Sequence, residues 1–414
     1  MARVFPFRGI RYDPAVVDLS SVLSPPYDVI KPELQGDLYS RAMQNIVRVE
    51  LGREYEADLK GESDRYTRAR DHLRSWLAQG VLVRDEQPSL YLHRHSFGPP
   101  GPGGPTERVG CLAAVEPVPH ERREVLRHEL TMSGPREDRL RLLYATQVQT
   151  SPVLMLYQDS AEVTTVLKAH LDPATQLGEA VTDGDYGPER HQLWRISDPT
   201  AIGTICDGLS RTRLFIADGH HRYETALQLH LPGLLTLLAP IDDPGNIVLP
   251  THRLLPHSPM TADELLTALV GTGWEVERAK DQEGLLARIA ELRPSHHAFG
   301  IVDSGTQGIA ARRRPAVSRL SAAASLDVGV LDREILDAQL GVMAADSEKG
   351  RLTYTRDPDE LWKLSQARGA LGLFLNPTSV AEIAEVAGAG ETMPQKSTYF
   401  FPKVPAGLVL METG

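Results

Sequence analysis

Two imidazoles, a guanidinium and a carboxylate crowd around one glycine at Asp218-Gly219-His220-His221-Arg222. Such a density of titratable groups suits acid-base chemistry or the holding of an anion. Leu214, Phe215 and Ile216 before it read as a short buried strand, and Tyr223, Ala226, Leu227 and Leu231 after it recur at helical spacing. Asp218-Gly219 is then a turn between a strand and a helix start. Free amides at a helix start attract anions, and two histidines and an arginine add donors and positive charge that suit a phosphate. Gly219 lets the backbone approach closely or take a positive φ. The plainer reading is a histidine-rich helix start capped by Asp218, with the imidazoles bonded to backbone and solvent. Polar groups at a strand end favour the ligand reading, because α/β folds place ligands there.

Other polar groups admit two readings each. In His128-Glu129 a carboxylate beside a histidine can act as a general base or metal ligand, or be surface charge. The second histidine of a His-Glu-x-x-His helix is missing, so a zinc protease is not supported. Thr251-His252-Arg253 follows Ile247-Val248-Leu249-Pro250 and repeats the recipe of apolar strand then polar end. His252 and Arg253 either join the same rim or are ordinary strand-end residues. Lys396, in Pro394 to Lys403, either neutralises an anion or snorkels from an edge strand. Tyr27 and Asp28, fixed by Pro25 and Pro26, present a phenol and a carboxylate or form a structural turn. His296-His297 is assigned to a loop, and Arg312-Arg313-Arg314 to a solvated turn.

The elements that must position these groups are strands and helices in mixture. Residues 45–51 alternate in strand fashion, 64–79 carry a helical pattern, and 89–95 and 111–118 read as strands around a proline-glycine loop at 98–105. A helix over 138–148, strands over 152–157 and 234–241, and a helix over 199–209 follow. Helical patterns alternate with strands over 262–269, 281–292, 298–303, 328–340, 359–366, 370–375 and 380–389. The expectation is an α/β or α+β chain of several domains: an N-terminal segment 1–89, a central core 90–257 and a C-terminal α/β region 258–414.

A chain of 414 residues can bury two or three cores, and its composition is that of a globular protein. A formal charge of -11 weakens nucleic-acid binding through a broad basic face while leaving room for a local phosphate pocket. Cys111 and Cys206 are too few for a disulfide scaffold or a cysteine-rich zinc site. The start is not a signal peptide and no apolar run spans a membrane, so a soluble cytoplasmic protein is expected, without membrane or nucleic-acid partners.

Five segments, taken in order, resemble a family of uncharacterised bacterial and archaeal proteins, the domain of unknown function family numbered 1015. They are Ser24 to Ile30, His128 to Thr131, Ala217 to Tyr223, Pro250 to Arg253 and Pro394 to Tyr399. Leu130 departs from the pattern, which expects a polar or basic residue there. The Gly219 to Tyr223 turn is also similar to the nucleotide-phosphate turn of the ParB and sulfiredoxin superfamily, whose members include free-serine kinases. His220 stands where sulfiredoxin carries its reactive cysteine, so sulfinic acid reduction is not implied.

That resemblance implies a ParB/sulfiredoxin-like central core and a nucleotide-dependent phosphotransferase acting on a small hydroxylated metabolite, with serine the leading acceptor. ATP or ADP would be the nucleotide and Mg2+ its companion. Gly219, His220, His221 and Arg222 would cradle phosphate, Glu129 would be the base, and Asp218 would position a histidine or magnesium. His252, Arg253 and Lys396 would be further anion ligands. Three alternatives stay open: a phosphatase using His220 as nucleophile or acid, a non-catalytic nucleotide sensor, and a metal hydrolase built on His128, Glu129, His220 and His221. A homo-oligomer is also left open.

Overall fold

The computed structural model describes residues 1–100, 104–129, 133–158, 160–315, 320–347, 349–394 and 396–414. The loop expected over 98–105 is thus described only at its ends, and Leu130, Thr131 and Gln395 of the family segments lie outside the described residues. The chain forms two compact units. The first holds Met1–Arg127, Thr131–Ile247 and Pro402–Gly414, and the second His128–Leu130 and Val248–Phe401. Residues 1–89 and most of 90–257 thus contribute to one unit. Helices and sheets mix in both, as the α/β or α+β class requires.

Among the described residues, the first unit is built on a nine-stranded sheet. Its path runs Val125–Leu126, Leu214–Asp218, Val153–Tyr157, Leu234–Pro240, Thr106–Val115, Leu90–Phe97, Gly187–Ile196 and Gln176–Gly184, with Val4–Phe5 beside Thr106–Val115. Leu234–Pro240 is buried along nearly its whole length, which is why it reads as an apolar run broken only by Thr236 rather than as an alternation. Leu90–Phe97 and Gly187–Ile196 do alternate. Leu90, Leu92, Trp194 and Ile196 join the core, where Cys111, Met155 and Leu238 also sit, while His93, His95, Glu189 and His191 face the other way.

The helix Pro199–Leu209 lends Ile205 and Leu209 to that core; Asp198 caps its start by accepting from Ala201 N–H, and Pro199 begins its first turn. A smaller sheet in the same unit has the order Leu82–Arg84, Gly9–Tyr12, Leu410–Glu412, Val148–Gln149. Ile10, Tyr12 and Leu410 pack there with Leu73 and Trp76 of the helix Arg65–Ala78.

Among the described residues, the second unit carries a six-stranded sheet in the order Glu275–Arg278, Gln307–Arg313, His296–Val302, Leu371–Phe374, His252–Leu255, Thr353–Thr355. Leu285 and Ile289 of the helix Gln282–Leu292 pack with Leu361 and Phe374 in its core. Thr261 and Glu264 form a reciprocal capping box ahead of Ala262–Val270, and Ser379 and Glu382 form another ahead of Val380–Ala389.

Several local readings differ from the structure. Residues 45–51 form no strand: Val47–Glu50 is a short helix. Asn45 decides this, since its Oδ1 accepts from Val47 N–H at 2.9 Å and its amide donates to the Ser21 and Leu23 carbonyls at 2.8 and 3.1 Å. His296-His297 is not a loop but the start of a strand, where the buried His297 Nδ1 meets Asp327 Oδ1 at 2.8 Å. Arg312 and Arg313 end a strand instead of forming a solvated turn. Arg312 is paired with Glu334, and Arg314 with Asp327 at 2.7 Å.

Candidate functional site

Strand Leu214–Asp218 delivers the polar turn, and helix His220–Gln228 begins immediately after it. Between them Gly219 takes φ 96°, the left-handed region that only glycine enters cheaply. A Cβ at this position would lie 2.9 Å from Arg222 Nη2 and 3.0 Å from Val153 Cγ2, so glycine is required twice over. Gly219 is also the N-cap and has no side chain with which to cap the helix, while both Asp218 oxygens are engaged elsewhere. Asp218 therefore does not play the capping role of the plainer reading.

The Asp218 carboxylate is instead clamped between cations. Its Oδ2 accepts from Arg222 Nη2 at 2.8 Å, and its Oδ1 is paired with Lys403 Nζ. Burial alone would raise this carboxyl, but Lys403 and Arg222 overcome it and hold the group down at about 2. So acidic a carboxyl is a poor base near neutral pH. Its work is to aim the two cations. Arg222 Nη1 also donates to the Pro152 carbonyl at 2.6 Å, which fixes the guanidinium plane against the start of the neighbouring strand.

Beside the turn lies a cleft walled by Glu50, Arg139, Thr150, Ser151, Arg222 and Thr225. Glu50 is fully buried, accepting from Thr150 Oγ1, from Ser151 Oγ at 3.0 Å and from Arg139 Nη1 at 3.4 Å. The Arg139 guanidinium stacks 3.9 Å from the centre of the Tyr27 ring. Burial pushes the Tyr27 phenol up to about 12 despite that cation, so it stays protonated. Tyr27, singled out for its prolines, thus belongs to this arginine-glutamate network.

In the second unit the remaining motifs draw together. Glu129 Oε1 accepts from Lys396 N–H at 3.4 Å, His128 Nε2 lies 3.0 Å from Thr398 Oγ1, and the His128 carbonyl accepts from Met393 N–H at 2.8 Å. Lys396 has φ 57°, and its side chain is exposed. Arg253, almost fully buried, donates to the Thr251 carbonyl and, at 3.5 Å, to that of Lys396. His252 is buried, which lowers its imidazole to about 4, and its Nδ1 accepts from Leu375 N–H at 3.2 Å. His252 is therefore a neutral acceptor tying two strands.

Sequence reading missed Lys403, Glu50 and Arg139. Lys403 gives no local signal, because it meets Asp218 only through long-range folding. Glu50 gave none either, because the alternation read over 45–51 places it with Arg48 on the polar face, and only the helix Val47–Glu50 turns it inward. At the turn the missing Cβ of Gly219 lets Arg222 and Val153 approach its backbone closely, and two cations, Arg222 and Lys403, stand beside it on Asp218. Asp218 does not fit a magnesium ion, since both its oxygens already bind cations.

The fold is that of a mixed α/β protein, and its polar turn sits at a strand-helix junction. The chain belongs to the family described as "Protein of unknown function (DUF1015)", whose model matches residues 4–329. Among solved structures, it is similar to a conserved hypothetical protein from Pyrococcus furiosus, at 14% identity over 70% of this chain and 92% of that one, with a TM-score of 0.36. It is also similar to a free serine kinase in complex with AMP, at 13% identity over 69% and 89% of the two chains, with a TM-score of 0.31. SbnI with a C-terminal truncation from Staphylococcus aureus is 14% identical over 70% and 84%, with a TM-score of 0.35. No curated protein matches the chain. Among the described residues no helix is long and apolar enough to cross a membrane.

Proposed function

We propose that the protein is a nucleotide-dependent phosphotransferase acting on a small hydroxylated metabolite. The observation that carries this reading is the junction at Gly219: a helix start whose N-cap is a glycine in the left-handed region, with Arg222 and Lys403 aligned by one carboxylate. Main-chain amides and paired cations are what a transferring phosphoryl group needs as its charge develops. Gly219, His220, His221 and Arg222 form the cradle in this reading, and Asp218 is a positioning residue. Serine as acceptor, Glu129 as the base that takes its hydroxyl proton, and an accompanying Mg2+ rest on the resemblance of the turn and of the His128-Glu129 segment to free-serine kinases. His252 is assigned a structural role in this reading, which its bond to Leu375 supports.

Incubation of the protein with serine and either ATP or ADP, followed by detection of phosphoserine, tests the proposal. Phosphoserine formed from either nucleotide supports it. Loss of phosphate from added phosphoserine, with no nucleotide consumed, replaces it by a phosphatase. Glu129→Gln should retain nucleotide binding and lose turnover. If turnover survives there and disappears in Glu50→Gln, the base is the carboxylate in the cleft beside Arg222.

A further inference from the structure

A second concentration of imidazoles lies on the sheet of the first unit, apart from the Gly219 junction. His93 and His95 are two residues apart on strand Leu90–Phe97 and so leave the same face, and Glu189 and His191 do likewise on Gly187–Ile196. The register sets His191 opposite His95, with Arg108 opposite His95 on the other side. His95 Nε2 lies 2.8 Å from Glu189 Oε2, and His93 Nε2 lies 3.2 Å from His191 Nδ1. The His95 and His191 ring centroids are 4.2 Å apart. His93 and His95 are wholly buried and His191 nearly so.

We propose that His95, Glu189 and His191 bind a divalent first-row transition metal of the zinc type. One donor atom from each lies within 4.8 Å of the others. Metal-ligand bonds of about 2.0–2.2 Å require these atoms to close in by roughly an ångström, within reach of side-chain rotation. The donor set selects the class. Two imidazoles and one carboxylate suit zinc and its neighbours, whereas magnesium and calcium prefer oxygen alone and copper(I) prefers sulfur.

The surroundings support such a site. His191 has outer partners ready to orient it, Thr182 Oγ1 at 2.9 Å from Nε2 and His93 at Nδ1, and one of the two bonds persists when the other nitrogen turns to the ion. His191 also borders a cleft shared with Arg11, Tyr12, Gly178 and Leu408, which gives an ion a way in. The Arg108 guanidinium, 3.5 Å from His95 Nδ1, opposes a cation; ionised Glu189 offsets it, and Arg108 keeps its 2.8 Å bond to the Pro402 carbonyl. Among the described residues His93 Nδ1 and Arg108 Nε and Nη1 have no hydrogen-bond partner, so the cluster retains unspent polar capacity deep in the unit.

Chelator-treated full chain titrated with Co2+ tests the proposal. The expected result is one equivalent bound, with a visible d–d band that Zn2+ abolishes. Glu189→Gln and His191→Asn, each checked for folding by circular dichroism, should weaken Co2+ binding at least about tenfold. The double substitution His220→Asn with His221→Asn should keep the band. Wild-type protein that gives no band overturns the proposal whatever the variants do, as does a band lost only in the His220 and His221 variant.

Discussion

Asp218 and Glu189 are both largely buried carboxyls in the same unit, yet their surroundings drive them in opposite directions. Lys403 and Arg222 flank Asp218 and hold it down at about 2 against the effect of burial. Glu189 meets an imidazole instead, and burial pushes it up to about 7 even though Arg108 pulls the other way. Burial is common to both, and direct contact with full cations is what separates them. A carboxylate so clamped organises positive charge for an anion. A carboxyl among neutral imidazoles is the natural partner of a cation that has yet to arrive.

The contrast can be broken at either end. Asp218→Ala leaves Arg222 and Lys403 partly buried without their counter-charge and should cost about 3–5 kcal/mol in urea unfolding. A loss below about 1 kcal/mol would mean that the clamp is not what fixes the turn.

The same clamp should appear in the acid limb of stability. Because Asp218 titrates near 2 when folded, below an ordinary carboxyl at about 4, its contribution is complete above about pH 5. It is lost as pH falls towards 2, and about 2–3 kcal/mol should disappear across that window. Asp218→Asn should flatten this limb, which a pH series of denaturation midpoints reads directly.

Gly219→Ala should cost about 1–2 kcal/mol for the left-handed backbone alone, and it should also weaken phosphate binding through the contact with Arg222. Wild-type affinity in this variant would remove the junction from the binding site. On the sheet face, Thr182→Val deletes one bond to His191 and should cost only about 1 kcal/mol. Glu189→Gln in metal-free protein should not lower stability at pH 7, since the native carboxyl is held up to about 7 while the unfolded one ionises at about 4, so that the carboxyl itself weighs against the folded state there. A loss as large as that of Asp218→Ala would erase the distinction between the two sites.

The local parts of this architecture were legible from residue order. Leu214 to Gln228 is the clearest case, because apolar run, glycine and helical spacing each speak through neighbours a few positions apart. The helix over 64–79 declared itself through Tyr66, Ala69, Leu73 and Trp76 at helical spacing and through Gly80, and the structure adds Asp64 as its cap. Asn45 shows the opposite: a polar residue inside an alternating stretch reached the carbonyls of Ser21 and Leu23 and turned an expected strand into a helix. The histidine cluster passed unnoticed because its signal is split between His93-x-His95 and Glu189-x-His191, and strand pairing alone superimposes the halves. Lys403 was invisible for the same reason, being joined to Asp218 by topology and not by pattern.

The return of Pro402–Gly414 to the first unit bears on how the protein is made. Leu410–Glu412 lies between Gly9–Tyr12 and Val148–Gln149 in their sheet, and Pro402 and Lys403 reach Arg108 and Asp218. A ribosome must therefore release nearly every residue of the second unit before the first can close its small sheet or neutralise Asp218. During that interval the strands Gly9–Tyr12 and Val148–Gln149 are exposed edges, open to mispairing. Residues Pro402–Gly414 act as a latch on a unit whose other parts were synthesised long before.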